Sequence, residues 1–247
     1  MKEYFYTGIF AGKSLCFAFR HSDTVTYFNG FLQSVDMSLP DHTVRVPKSD
    51  CDCWIQDYGM ADNGNTEFGI SVYRASDALL SSGRVIIHAA AMQWQERAYL
   101  FSADSGTGKS TQLRRWLELY GHEVKIINGD KPILRLEEDG HFTVHPSPWK
   151  GKEEWGDDSL SAPLGGIILL KQGADNKMSR LSSSRAAACL LPQFFSSFES
   201  RMYLSMLCRL EEALLSKTPV WQLVNKGNAA SAELTHETLI REVADGL

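Results

Sequence analysis

No stretch of this 247-residue sequence approaches the roughly 20 consecutive apolar residues that span a bilayer, and Met1-Lys2-Glu3-Tyr4-Phe5 lacks the apolar core of a signal peptide. These absences predict a soluble, cytoplasmic protein with no membrane partner. Charge of one sign is also missing. Lys and Arg number 25 against 30 Asp and Glu, a net charge of -5 with both signs scattered evenly. No basic face is implied, so nucleic acid is not an expected partner. Cysteine is scarce: Cys16, Cys51, Cys53, Cys189 and Cys208 are odd in number, widely spaced and include no CxxC pair. That excludes a disulfide scaffold and a zinc ribbon and fits free thiols in a reducing compartment; Cys51 and Cys53 receive no role.

What remains is ordinary globular composition, 43% apolar and 22% charged, in a chain long enough for a substantial core. Residues 1–83 read as a small, mostly β N-terminal part. Strand-like runs such as 14–19 and 43–46 are separated by Asn29-Gly30, Asp62-Asn63-Gly64 and Ser81-Ser82-Gly83, with no long helical periodicity. Residues 84–247 alternate strand and helix patterns, as in an α/β fold with a sheet covered by helices. Residues 85–88 and 98–101 read as buried strands. Leu113, Trp116, Leu117 and Tyr120 recur on one helical face that Gly121 terminates. A strand over 124–127, a hairpin of 133–136 with 142–144, a strand over 164–170, a helical stripe from Tyr203 to Leu214 and a strand over 220–224 follow.

Residues 102–111, Ser-Ala-Asp-Ser-Gly-Thr-Gly-Lys-Ser-Thr, match the phosphate-loop (P-loop) pattern G-x-x-x-x-G-K-[ST] except at its first glycine, here Ala103. Gly106 and Gly108 can adopt positive φ, so that backbone N–H groups of Asp104, Ser105, Gly106, Thr107, Gly108, Lys109, Ser110 and Thr111 surround phosphate oxygens at a helix N-terminus. Lys109 would reach the β and γ phosphates, and Ser110 would hold Mg²⁺. The strand before and amphipathic helix after this loop separate it from a glycine-rich turn. Such a loop needs a carboxylate at a neighbouring strand end, to hold metal or take a proton. Asp130, after the strand at 124–127, fills that requirement unless it only caps a turn. His88 closes a strand and either donates to the phosphates or packs as a structural histidine. In the loop 145–154, Lys150 and Lys152 either face phosphates or are solvated.

These residues resemble the catalytic domain of HPr kinase/phosphorylase and, more distantly, phosphoenolpyruvate carboxykinase. The stretch from Asp104 to Ser110 looks like the nucleotide loop of that family, His88 falls where it has an active-site histidine, and Asp130 matches its catalytic aspartate. The specific motifs cover roughly residues 84–150. The resemblance implies that Asp130 accepts the proton of a serine being phosphorylated and returns it in the reverse reaction, with Lys109, His88 and Asp130 as the catalytic set and Ser110 and Asp130 toward the metal. It also admits a homo-oligomer. Three positions depart from the family pattern: Ala103 and Ala89 replace glycines, and Gly129 replaces the first of two paired aspartates. Glu153, Arg180 and Arg185 are left without a role.

The expected function is therefore an ATP- and Mg²⁺-dependent kinase acting on a hydroxyl, serine of a small protein or peptide. Two alternatives stand beside it: a nucleotide-binding regulatory module whose catalysis has decayed, and a carboxykinase-like enzyme, for which the chain is short and lacks a second metal-ligand set.

Overall fold

The computed structural model describes residues 2–34, 39–198 and 200–244, with side chains to residue 242. It is a mixed α/β structure with six α-helices among the described residues. Strands β1 (Tyr4–Phe10), β2 (Lys13–Phe19), β3 (Gln33–Ser34) and β4 (His42–Arg45) form a four-stranded sheet in the order β3-β1-β2-β4. Helices α1 (Lys48–Tyr58) and α2 (Gly64–Leu80) follow.

A nine-stranded sheet carries the rest: β5 (Arg84–Ile86), β6 (Ala89–Trp94), β7 (Arg97–Ser102), β8 (Val124–Asn128), β9 (Ile133–Leu136), β10 (Phe142–His145), β11 (Ala162–Gln172), β12 (Lys177–Arg180) and β13 (Val220–Asn225). Its path is β5-β9-β10-β11-β7-β6-β8, with β13 pairing both β11 and β12. The central strands β7, β11 and β13 are parallel to one another, while β6 runs antiparallel to both β7 and β8. Helices α3 (Lys109–Tyr120), α4 (Ser183–Leu190), α5 (Arg201–Lys217) and α6 (Ala229–Ala244) complete the chain.

Alternation along the central strands divides their side chains between two cores, because successive residues of a strand point to opposite faces. Leu100, Ile167 and Leu169 join Leu190, Leu207 and Leu214 of α4 and α5 on one face. Phe101, Ile168 and Leu170 join Leu113 and Trp116 of α3 and Leu239 of α6 on the other. A sheet covered on both faces reads as continuous apolar runs, which is why β7 and β11 were legible. A third core ties the first sheet to the second: Phe10, Phe17, Phe19 and Phe28 pack with Val72 and Leu79 of α2, with Ile86 and Ile133, and with Trp149.

The expectation of a mostly β N-terminal part with no long helical periodicity is overturned by α1 and α2. Helix α2 is buried over most of its surface, including Thr66, Glu67, Ser71, Ser76 and Asp77, so polar residues interrupt the apolar stripe that would have announced it. Asp62-Asn63-Gly64, read as a turn, is its start: the Asn63 side chain accepts a hydrogen bond from the Thr66 N–H at 3.0 Å. The strand expected over 85–88 stops at Ile86, and the chain bends at His88 before β6. No helix among the described residues is long and apolar enough to cross a membrane.

Candidate functional site

After β7 ends at Ser102 the chain turns over residues 103–108 into α3. Gly106 and Gly108 have φ of 80° and 114°, a region that costs an L side chain steric strain, and a Cβ at Gly106 would meet nothing within 4 Å, so open space lies beside the loop. The residue capping α3 is Gly108, which has no side chain to satisfy the first N–H groups. The positive end of the helix is therefore left to attract an anion. Ala103, in place of the first glycine, puts its methyl into the core with Phe101 and Leu113, while its carbonyl accepts from Lys109 Nζ at 3.1 Å.

The antiparallel insertion of β6 assembles the rest. Ala89 pairs with Ser102 and Ala91 with Asn128, so the start of β6 lies at the ends of both β7 and β8. His88 before β6, the glycine loop after β7 and Asp130 after β8 are thereby brought together. Lys109 Nζ lies 2.9 Å from His88 Nε2, and that nitrogen lies 3.4 Å from Asp130 Oδ1. Nε2 serves one neighbour at a time: without a hydrogen it accepts from Lys109, and with one it donates to Asp130. Main-chain bonds fix the group, with Ala89 N donating to the Asp130 carbonyl at 2.9 Å and Ser102 Oγ to the His88 carbonyl at 2.8 Å. Ala89, the second departure, is fully buried beneath this junction.

Burial lowers the Lys109 pKa, against the pull of the Asp130 charge. For Asp130, burial acts to raise the pKa but is outweighed by the His88 hydrogen bond and by the Lys131 ammonium, which ion-pairs with Oδ2; the result is about 2. Asp130 is thus a carboxylate at neutral pH. Its strand end is held by Asn128, whose Oδ1 accepts from Asp130 N at 2.9 Å and Lys131 N at 2.7 Å, while its Nδ2 donates to the Ser147 carbonyl at 3.0 Å.

The third departure has a steric cause in this chain. A Cβ built on Gly129 would stand 2.8 Å from the Lys150 carbonyl oxygen, because residues 148–156 fold over the end of β8 and Gly129 N donates to the Trp155 carbonyl at 2.8 Å. A second aspartate cannot occupy position 129 without moving that loop. Among the described residues no group of three or more His, Cys, Asp or Glu could hold a metal ion.

Lys109, Ser110, His88 and Asp130 line one cavity of about 970 Å³, together with the loop 148–154. A second cavity, about 840 Å³, lies against Ser102, Asp104, Thr107, Leu170 and Gln193; Ser105 and Gly106 border both, so the glycine loop separates them. Thr111 lies on the first side. Lys152 and Glu153 border the first cavity, and the Lys150 ammonium pairs with Asp158 at 2.6 Å. Arg180 pairs with Glu242 at 3.0 Å, and neither Arg180 nor Arg185 lines either cavity.

Three residues of the site escaped sequence reasoning. Lys131 and Asn128 flank Asp130, and an asparagine closing a strand before glycine is a recognisable signal for a side-chain-capped turn. Gln193 carries no such signal: its carbonyl accepts from His88 N at 2.7 Å and its Nε2 donates to Asp104 Oδ1 at 3.2 Å from a segment far along the chain.

Residues 53–220 match the family described as SynChlorMet cassette protein ScmC. No curated protein sequence matches this chain. Among solved structures, the Hpr(Ser) kinase/phosphatase from Coxiella burnetii superposes with a TM-score of 0.37 and 10% identity, over 64% of this chain and 95% of that one.

Proposed function

This chain belongs to the ScmC family of SynChlorMet cassette proteins, and we propose that it is an ATP- and Mg²⁺-dependent phosphotransferase acting on a hydroxyl, serine of a small protein or peptide. The observation that carries this reading is the meeting of a glycine loop at an uncapped helix N-terminus, a buried lysine and an ionised aspartate at one cavity. Residues 84–247 are the catalytic part. The loop from Asp104 to Thr111 is a phosphate loop whose N–H groups face the triphosphate.

The residues present fit this ligand. Mg²⁺ keeps most of its waters and takes one or two carboxylates plus substrate phosphates, so a protein cage of three ligands is not required. Ser110 and Asp130 would hold it, and bound there it neutralises charge on the phosphates. Lys109 stabilises charge on the transferred group. Asp130 orients the acceptor hydroxyl and receives its proton as the oxygen bonds to the γ-phosphorus and the bond from that phosphorus to the bridging oxygen breaks, releasing ADP; this is a modest demand on a carboxylate of low pKa because the transition state is loose. His88, touching both, sets their relative charge and position.

Incubation with ATP, Mg²⁺ and serine-bearing peptides is expected to yield phosphopeptide. Asp130→Asn should keep the affinity for nucleotide measured without Mg²⁺ and lower kcat by about 10³-fold. Tight nucleotide binding with no product from any acceptor would favour the regulatory module, and full activity of Asp130→Asn would remove the aspartate from the mechanism.

A further inference from the structure

The larger cavity has a wall that the glycine loop does not account for. Thr26, Tyr27 and Asn29 from the 3-10 turn Thr24–Phe28 and its exit, with Asn65 and Phe68 from the start of α2, face the same space as Asp130 and Lys109. Tyr27, 38% exposed, stacks on Phe68 with ring centroids 5.8 Å apart, and Phe68 stacks on Trp149 at 6.1 Å. Asn29 and Asn65 are exposed beside this aromatic row. None of the five is charged, whereas the adjoining loop, joined to Phe68 through Trp149, carries Lys150, Lys152, Glu153 and Glu154, two of each sign.

We propose that this N-terminal wall selects the acceptor, with Tyr27, Asn29 and Asn65 reading an uncharged peptide segment that flanks the hydroxyl delivered to Asp130. The inference rests on the phosphotransferase reading and deepens it. Asp130 borders this cavity and not the second, so a hydroxyl that reaches the carboxylate brings its flanking residues here. In-line transfer directs the leaving nucleotide away from that approach. Carboxamide side chains offer one acceptor and two donors, matching the N–H and C=O of a peptide main chain, and a fixed aromatic face suits an apolar or aromatic side chain beside it. A wall without charge gives no ion pair to a small carboxylic acid. The volume is at the upper end of the range of about 300–1,000 Å³ for small-ligand sites, room for a phosphate tail and a short segment together.

The wall is also preorganised. Glu67, fully buried in α2, accepts from Arg20 N at 2.8 Å, His21 N at 3.2 Å and Thr24 Oγ1 at 2.6 Å, and so fastens the 3-10 turn to the helix. A rigid surface loses less entropy on binding than one that must order first.

The test uses the full chain, labelled ATP with Mg²⁺, and a pool of synthetic single-serine peptides varied at the flanking positions. Tyr27→Ala and Asn65→Ala are each expected to raise the KM of the best peptide about tenfold, with kcat changed less than twofold and ATP affinity unchanged. Asn65→Asp should redirect selection toward peptides with Lys or Arg beside the serine, a change that a structural role would not produce. Transfer by the wild-type chain with unaltered KM and selection in all three variants would overturn this inference alone. A loss of ATP affinity in Tyr27→Ala or Asn65→Ala would assign the wall to the nucleotide and overturn it as well. No transfer by the wild-type chain to any peptide would overturn the phosphotransferase reading, and the inference with it.

Discussion

Two of the walls of the larger cavity, the glycine loop and the N-terminal wall, are built by opposite means. On one side, two left-handed glycines, an uncapped helix end and the buried ammonium of Lys109 concentrate positive potential around main-chain N–H groups. On the other, stacked rings and side-chain amides form an uncharged surface whose one essential charge, Glu67, is hidden beneath it and spent on three internal hydrogen bonds. The first wall suits an anion held by a strong field. The second suits a ligand recognised by shape, since packing and amide contacts discriminate shape where a strong field does not.

Breaking the first wall should cost the most. Lys109→Met is expected to weaken Mg-ATP binding or transfer by about 10² to 10³-fold while leaving the melting temperature unchanged or raised, because a buried cation is removed. Titration calorimetry and a thermal melt read the two quantities separately; unaltered nucleotide binding would dissolve the contrast.

Glu67→Ala attacks the second wall from beneath. It leaves Arg20 N, His21 N and Thr24 Oγ1 without their acceptor and should destabilise the chain by about 2–3 kcal/mol in urea unfolding, with ATP affinity in native buffer preserved. An equal loss of nucleotide affinity would mean that the walls are not separable.

The smallest effect sharpens the comparison within residues 84–247. Asp130 is a partnered carboxylate at about 2, whereas Glu211 in α5 is buried with no hydrogen-bond partner for Oε1, and burial raises it to about 7. A carboxyl raised in the folded state above its ordinary 4.5 binds an extra proton there, so its contribution to stability is full below pH 4.5 and is lost as the pH rises through 7. Glu211→Gln should flatten that decline, leaving the variant about 1 kcal/mol more stable than the parent at pH 8 and ATP affinity unmoved. A decline of equal slope in the variant would assign it to another group.

Much of the first wall was legible and little of the second. The strand before the glycine loop and the helix after it carry their own periodicity, so Lys109 and Ser110 were placed by local pattern. Strand β6 was not foreseen, since Ala89-Ala-Ala-Met has low strand propensity and is buried by its neighbours, not by an alternation of its own. Helices α1 and α2 were hidden for a related reason. In α1 Cys51 is the one buried residue, and α2 buries polar groups that make sense only against Arg20, His21 and Thr24. Of the departures at 103, 89 and 129, the sequence ties the last to metal binding; the structure gives each a steric setting, with alanines that fit a core and a glycine demanded by the Lys150 carbonyl.

By itself the sequence determined what is local: which segment turns with positive φ, which lysine follows it, and which strands are apolar enough to be covered on both faces. Only the tertiary structure decided that β6 is inserted antiparallel between β7 and β8, and hence that His88, Lys109 and Asp130 meet, and that the 3-10 turn and α2 close the same cavity. Those outcomes depend on strand order and on contacts between residues far apart in the chain, and no window of neighbouring residues contains that information.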